Sequence, residues 1–122
     1  MLRWSALVIR SFGPALAGLA WALRTQRNLQ VHAIALGVVV ALGVWLRVAT
    51  WEWCAILLAS GMVWAAELLN TAIEVLADRV STAREEAIRR VKDVAAAAVL
   101  VAAAAALGVG LLILAPKLWA LL

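Results

Sequence analysis

One cysteine, one histidine and seven acidic residues are all that 122 positions hold of several side chains that most often do chemistry. With Cys54 alone no intramolecular disulfide can form, and its place in an apolar run reads as inert packing. No Cys/His set has metal-ligand spacing, no Ser/His/Asp arrangement is present, and no glycine-rich loop is built to cradle a phosphate. Internal repeats and low-complexity linkers are lacking too, so residues 1–122 read as a single domain. The N-terminus, Met1 to Leu23, carries Arg3 and Arg10 and is interrupted by Gly13-Pro14. It lacks the compact apolar core and small-residue cleavage site of a signal peptide.

What the chain has in excess is apolar surface. Hydrophobic residues make up 67% of it and the mean hydropathy is +1.02, against the roughly 45–50% usual in soluble domains. A soluble fold of this size could not hide so much, so an all-α integral membrane protein is expected. The formal net charge of +4 raises a nucleic-acid role. The basic residues stand where a membrane protein wants them, however, with no aromatic-interleaved basic patch on a polar domain, so no nucleic-acid partner is expected.

Residues 2–24 are amphipathic. Arg3, Arg10 and Arg24 fall within about 60° of one another on a helical wheel, with Leu7, Leu16, Leu19 and Trp21 spread over the rest. Such a segment suits the membrane interface rather than a span. Ser11-Phe12-Gly13-Pro14 is expected to break or restart it, with Ser11 as N-cap. After a polar stretch from Arg24 to His32, residues 31–49 are long enough to cross the roughly 30 Å of hydrocarbon as a first transmembrane helix. Trp45, Trp51 and Trp53 mark the boundary beyond it. A second transmembrane helix is expected over 53–79 and an alanine-rich third over 94–114, ending before Pro116. Between these last two, Thr82 with Glu85 has the form of a capping box for a short surface helix. Lys and Arg concentrate in the N-terminal arm and in the loop between the second and third spans (Arg79, Arg84, Arg89, Arg90, Lys92). The positive-inside rule therefore puts both in the cytoplasm.

The second span carries the unusual feature. Trp53 to Ala66 has no charge, yet Glu67, Asn70, Thr71, Glu74 and Asp78 then follow at i, i+3, i+4, i+7 and i+11. That spacing stacks all five on one helix face. Intramembrane carboxylates are costly and usually functional, although interhelical hydrogen bonding alone would give the same residues a purely structural role. His32 reads most simply as a hydrogen-bonded residue near the start of the first span. Hard oxygen ligands such as Glu74 and Asp93 suit Mg²⁺ shared with substrate phosphates. Arg10, Arg89, Arg90 and Lys92 could hold polyphosphate. A carboxylate near hydrocarbon, as Glu67 should be, is poorly solvated as an anion and suited to taking a proton. Together these parts fit phosphoryl transfer from a nucleotide to a hydroxyl at the membrane surface.

Glu67-Leu-Leu-Asn70-Thr71-Ala-Ile-Glu74, followed by Asp78 and Lys92-Asp93, resembles the signature of the small prokaryotic diacylglycerol kinase and undecaprenol kinase family. Arg10-Ser11-Phe12, Ala15, Gly18, Ala22, Asn28 and His32 look like its leading pattern, and Asn28 and His32 look more like the undecaprenol kinase branch. The resemblance implies a homotrimer in a bacterial inner membrane, with active sites between protomers, ATP and Mg²⁺ as donor, and a membrane lipid alcohol as acceptor. By this likeness Glu67 is the general base, with Asn70 beside it. Glu74 binds metal; Arg10, Lys92 and Asp93 contact nucleotide; and Asp78 is the acidic cytoplasmic end of the motif. Gln26 stands where a second metal-binding glutamate is common, which makes it the weaker metal ligand. Gln30 replaces a frequent basic residue, and Pro14 an aromatic. The alternatives are a catalytically degenerate helix-bundle protein, an ion path along the acidic stripe, and a membrane scaffold.

Overall fold

In the computed structural model, which describes residues 2–83 and 85–122, the chain forms α1 (Leu2–Thr25), α2 (Arg27–Trp45), α3 (Thr50–Val80) and α4 (Glu86–Trp119). Each is long and apolar enough to cross a membrane, and no strand occurs among the described residues. Arg84, counted above with the basic loop, lies outside the described residues.

The antiparallel α3–α4 hairpin is the frame. Its helices are joined by an ion pair near each end: Asp78 with Lys92 at the loop, and Glu52 with Lys117, 3.2 Å apart, at the other. Twenty-six residues of α3 thus run beside twenty-five of α4, a register that slips by one residue over the whole length. At 1.5 Å per residue the two pairs stand about 39 Å apart, close to the roughly 40–45 Å of a bilayer with its headgroups. The charges therefore fall at the two polar surfaces and the apolar turns between them in hydrocarbon. Lipid is as apolar as leucine, so contact rather than water exclusion must hold such helices together. Small side chains permit it: Ala77 of α3 and Ala95 and Ala102 of α4 are buried. Toward the Glu52–Lys117 end the contact thickens into a cluster of Val48, Ile56, Ile113 and Leu114. Leu57, Leu58, Leu100 and Leu112 point outward, where lipid would meet them.

The α2–α3 turn is tied by its own backbone. The Arg47 amide bonds to the Val44 carbonyl (3.2 Å) and the Val48 amide to Gly43 (3.0 Å), with Arg47 left-handed at φ 52°. This double closure ends a helix with its last carbonyls satisfied. Glu52 Oε2 then accepts the Ala49 N–H at 2.7 Å and caps α3. Gly43 is required here for space: a Cβ would lie 2.6 Å from Cη2 of Trp53.

Three local expectations fail. α1 continues through Pro14. A proline disfavours helix in its predecessor mainly by clashing with that residue's Cβ and N–H, and Gly13 has no Cβ. Ser11 accordingly caps nothing; its hydroxyl donates back to the Val8 carbonyl at 2.6 Å. The short surface helix is not separate but forms the first turns of α4, and Thr82 starts nothing. Ser81 shapes the turn instead, accepting the Ala83 N–H and donating to Glu85 Oε1, both at 3.1 Å. Pro116 lies inside α4 rather than beyond its end. There it removes a single donor near the terminus, and the helix continues far enough to bring Lys117 to Glu52.

Replacing Gly43 by leucine should destabilise the protein by about 1–3 kcal/mol, as overpacking of a filled core does, read as a lower unfolding midpoint in detergent. Lys117→Met should also lower the midpoint by stranding the Glu52 carboxylate, and the Glu52→Gln/Lys117→Met double variant should recover most of the loss. Additive losses would mean that the two side chains do not interact.

Candidate active site

The polar stripe of α3 grades from buried to open. Glu67, Asn70 and Thr71 are buried, Glu74 is half-buried and Asp78 is exposed. Eleven residues put Glu67 about 16 Å along the axis from Asp78, below the level of the headgroups. Glu67 is the most enclosed of the three carboxylates: its side chain retains 3% of its exposure. His32 Nε2 of α2 approaches Glu67 Oε1 to 3.2 Å, within ion-pairing distance, and this buried oxygen makes no hydrogen bond. Asn70 Oδ1 is in the same condition, while Asn70 Nδ2 donates to Glu74 Oε1 at 3.4 Å. Buried acceptors normally find donors. Two buried oxygens one helical turn apart thus have no hydrogen bond of their own, and His32 stands beside the first.

The corner between α1 and α2 delivers His32. The helices meet at Gln26, whose extended backbone (φ −101°, ψ 111°) turns the chain in one residue. Gln30 Nε2 reaches back to the carbonyls of Leu23 (3.0 Å) and Arg24 (3.3 Å), covering the open end of α1. The basic residue frequent at this position in the resembled family is therefore replaced here by a helix cap. Gln26 Nε2 donates to Thr25 Oγ1 at 3.1 Å, which leaves the amide oxygen as its ligating atom.

The residues singled out in the sequence are only partly gathered. Asn70 joins Glu74, Asp78 joins Lys92, and His32 faces Glu67. Arg10 is exposed on α1, Asn28 on α2 and Asp93 on α4, and Gln26 is half-buried at its corner. Among the described residues no group of three or more His, Cys, Asp or Glu side chains could hold a metal ion. A divalent ion at Glu74 would draw its other ligands from donor phosphates, water or another subunit. Two features escaped the sequence: the facing of His32 and Glu67, and the capping by Gln30. The hint for the first is that His32 is the one polar side chain between Val31 and Trp45.

A buried carboxylate with no hydrogen-bond partner on one oxygen should weaken the fold. Glu67→Gln, which keeps the shape and removes the charge, should raise the stability by about 1 kcal/mol, as is common when strained functional groups are neutralised. Thermal unfolding in detergent reads this directly, and a lower midpoint would refute the assignment of strain to Glu67.

Comparison with known proteins places the same residues in a family context. A profile of the prokaryotic diacylglycerol kinase family matches residues 13–114, which takes in the whole α3 stripe and the Lys92-Asp93 pair. The undecaprenol kinase of Bacillus subtilis (strain 168) is 39% identical over 109 residues, 89% of this chain and 89% of that one. A diacylglycerol kinase from a Synechocystis species is 38% identical over 113 residues, 92% of this chain and 65% of that one. On the length of these matches, and on the polar stripe that they enclose, the chain belongs to the prokaryotic diacylglycerol kinase family.

Proposed function

We propose that this protein is a membrane lipid kinase that moves the γ-phosphoryl group of ATP to the hydroxyl of a lipid alcohol, undecaprenol or diacylglycerol. The observation that carries the reading is the buried Glu67 carboxylate, facing His32 and with no hydrogen bond on one oxygen, on the helix whose cytoplasmic-loop end meets Lys92. The acceptor arrives from the bilayer and the donor from water, so the site must bridge hydrocarbon and headgroups, and a graded stripe on one helix does so.

In this mechanism the acceptor hydroxyl donates its proton to Glu67 as its oxygen attacks the γ-phosphorus. The bond from that phosphorus to the β,γ-bridging oxygen breaks, ADP leaves, and Glu67 later releases the proton. Asn70 presents its amide between Glu67 and Glu74 and holds the Glu74 carboxylate in place. Lys92 exchanges its partner Asp78 for phosphate oxygens, with Asp93 and Arg10 on the donor side and Asn28 on the α2 side. Mg²⁺, bound by Glu74 together with the phosphates and by Gln26 as a neutral oxygen, would supply charge neutralisation at the transferring group. Positioning and electrostatics do most of the work in such transfers.

The arginine face of α1 supports placing it in the interface, with its N-terminus and the α3–α4 loop on the cytoplasmic side of a bacterial inner membrane. A homotrimer accords with the incomplete metal set of one chain and with its apolar flanks.

Phosphate transfer from labelled ATP in detergent–lipid micelles tests the reading. Glu67→Gln should lower kcat by about 10²–10⁴-fold, the usual worth of a general base. Gln26→Glu should retain transfer and require less magnesium. Lipid labelling that survives undiminished in Glu67→Gln would remove Glu67 as base.

A further inference from the structure

The proton that Glu67 takes up must leave before a second acceptor can react, and the side chains around it offer a single way out. The Glu67 side chain keeps 3% of its exposure and that of His32 keeps 25%. Glu67 Oε1 and His32 Nε2 stand 3.2 Å apart, at the long end of hydrogen-bond distance, and the oxygen has no hydrogen bond of its own. Among the described residues His32 is the only basic side chain within ion-pairing distance of Glu67. Asn70, one turn along α3, donates its amide to Glu74 and has no group that titrates. Glu74 itself lies about 10.5 Å away along the axis. α2, α3 and α4 border a groove of about 420 Å³ in which His32 is the only ionisable side chain, and α4 brings Ala103 and Ala106 to it. Arg24 of α1 and Arg27 of α2 are exposed at the corner between those helices.

We propose that His32 is the proton outlet of Glu67, taking the proton of the acceptor hydroxyl from the carboxyl group and passing it to water. The inference rests on the reading of Glu67 as the base. In the first step the acceptor O–H bond breaks as its oxygen bonds the γ-phosphorus, and the proton goes to a carboxylate oxygen of Glu67. In the second, that proton joins the lone pair of neutral His32 Nε2, which leaves a carboxylate beside an imidazolium. In the third, water takes the Nδ1 proton, and exchange with water restores the starting tautomer. His32 thus acts through Glu67 and not on the reacting atoms.

Two physical reasons favour this route. A lone charge is expensive at membrane depth, whereas the intermediate of the second step is a paired one. Imidazole is also the side chain suited to taking and releasing a proton near neutral pH. Asn28, exposed one turn before His32 on the same face, marks the polar end of α2 toward which the proton leaves. The pair works only when it holds no proton, because an ion pair formed beforehand leaves His32 nothing to accept. The rate therefore falls toward acid with the first protonation of the pair as a unit.

Transfer of labelled phosphate from ATP, with undecaprenol and diacylglycerol each offered in detergent–lipid micelles, tests this as a function of pH. His32→Gln keeps polar atoms in place but takes up no proton. It should lower kcat by about 10-fold to 100-fold, less than loss of the base itself, and leave the KM for ATP unchanged. Its acid limb should move to lower pH, since one of the two sites that hold the first proton is gone. His32→Ala should regain much of its lost rate when imidazole is added, because the vacated position borders the groove. His32 is also the only histidine of the chain, so an isotope-labelled imidazole gives a single magnetic-resonance signal. In the wild type its titration should coincide with the acid limb of kcat. That readout needs no variant and decides the matter where His32→Gln lowers the unfolding midpoint.

An acid limb unmoved in His32→Gln, whatever its rate, would overturn the proposal and leave Glu67 as the base. So would an imidazole signal that titrates apart from the limb, or a His32→Ala rate that added imidazole does not raise. Undiminished transfer in Glu67→Gln would remove both readings.

Discussion

Close contact between α3 and α4 is the constraint on which the rest depends. In hydrocarbon there is no water to drive helices together, so a stable pair needs close van der Waals contact and a register that nothing else can replace. Alanines supply the first, and the Asp78–Lys92 and Glu52–Lys117 pairs at opposite ends supply the second. Because the pairs are about as far apart as the two faces of a membrane, the hairpin also fixes its own depth. Every other position is measured from it. Glu67 stands about 16 Å along the axis from Asp78, toward the apolar middle of the hairpin, and Asp78 holds Lys92 at the loop end.

On this frame the less tightly held elements perform the tasks that vary. α2 touches the hairpin at its C-terminal end, where Trp53 lies against Gly43, and near its N-terminal end, where His32 meets Glu67. Between those two points a groove is left. α1 joins through a one-residue corner held by Gln26 and Gln30 and leaves most of its surface exposed. The site is thus assembled from a rigid acidic helix and a neighbour fixed only at its two ends. A half-open apolar cleft is the geometric result.

Among the described residues, the buried polar side-chain atoms without a hydrogen bond are concentrated at Glu67 and Asn70. Both leave an oxygen buried without a hydrogen bond. Glu52 shows the contrast: it is also buried, but it accepts a backbone N–H and faces a lysine. One buried carboxylate is therefore capped and paired across the hairpin, while the other keeps an oxygen with no hydrogen bond.

Much of this was legible beforehand. An apolar content of 67% and the spacing of Glu67, Asn70, Glu74 and Asp78 follow from composition and helical period, and these place the membrane class and the acidic face without any knowledge of packing. Local signals did worse where they compete with a long helix. Pro14 and Pro116 each carry a boundary signal, and the helix runs through both, since in a low-dielectric setting continued backbone hydrogen bonding outweighs one missing donor; Thr82 lies in the α3–α4 loop, where Ser81 rather than Thr82 shapes the turn. What the sequence by itself determined is which residues share a face of one helix, because that depends on residues a few positions apart. Only the tertiary structure decided what stands opposite that face: His32 at Glu67, Lys92 at Asp78, Lys117 at Glu52, and an unfilled groove between them. Such pairings depend on the register of helices distant in sequence, and that register is set by the fit of small side chains along the whole length of a contact.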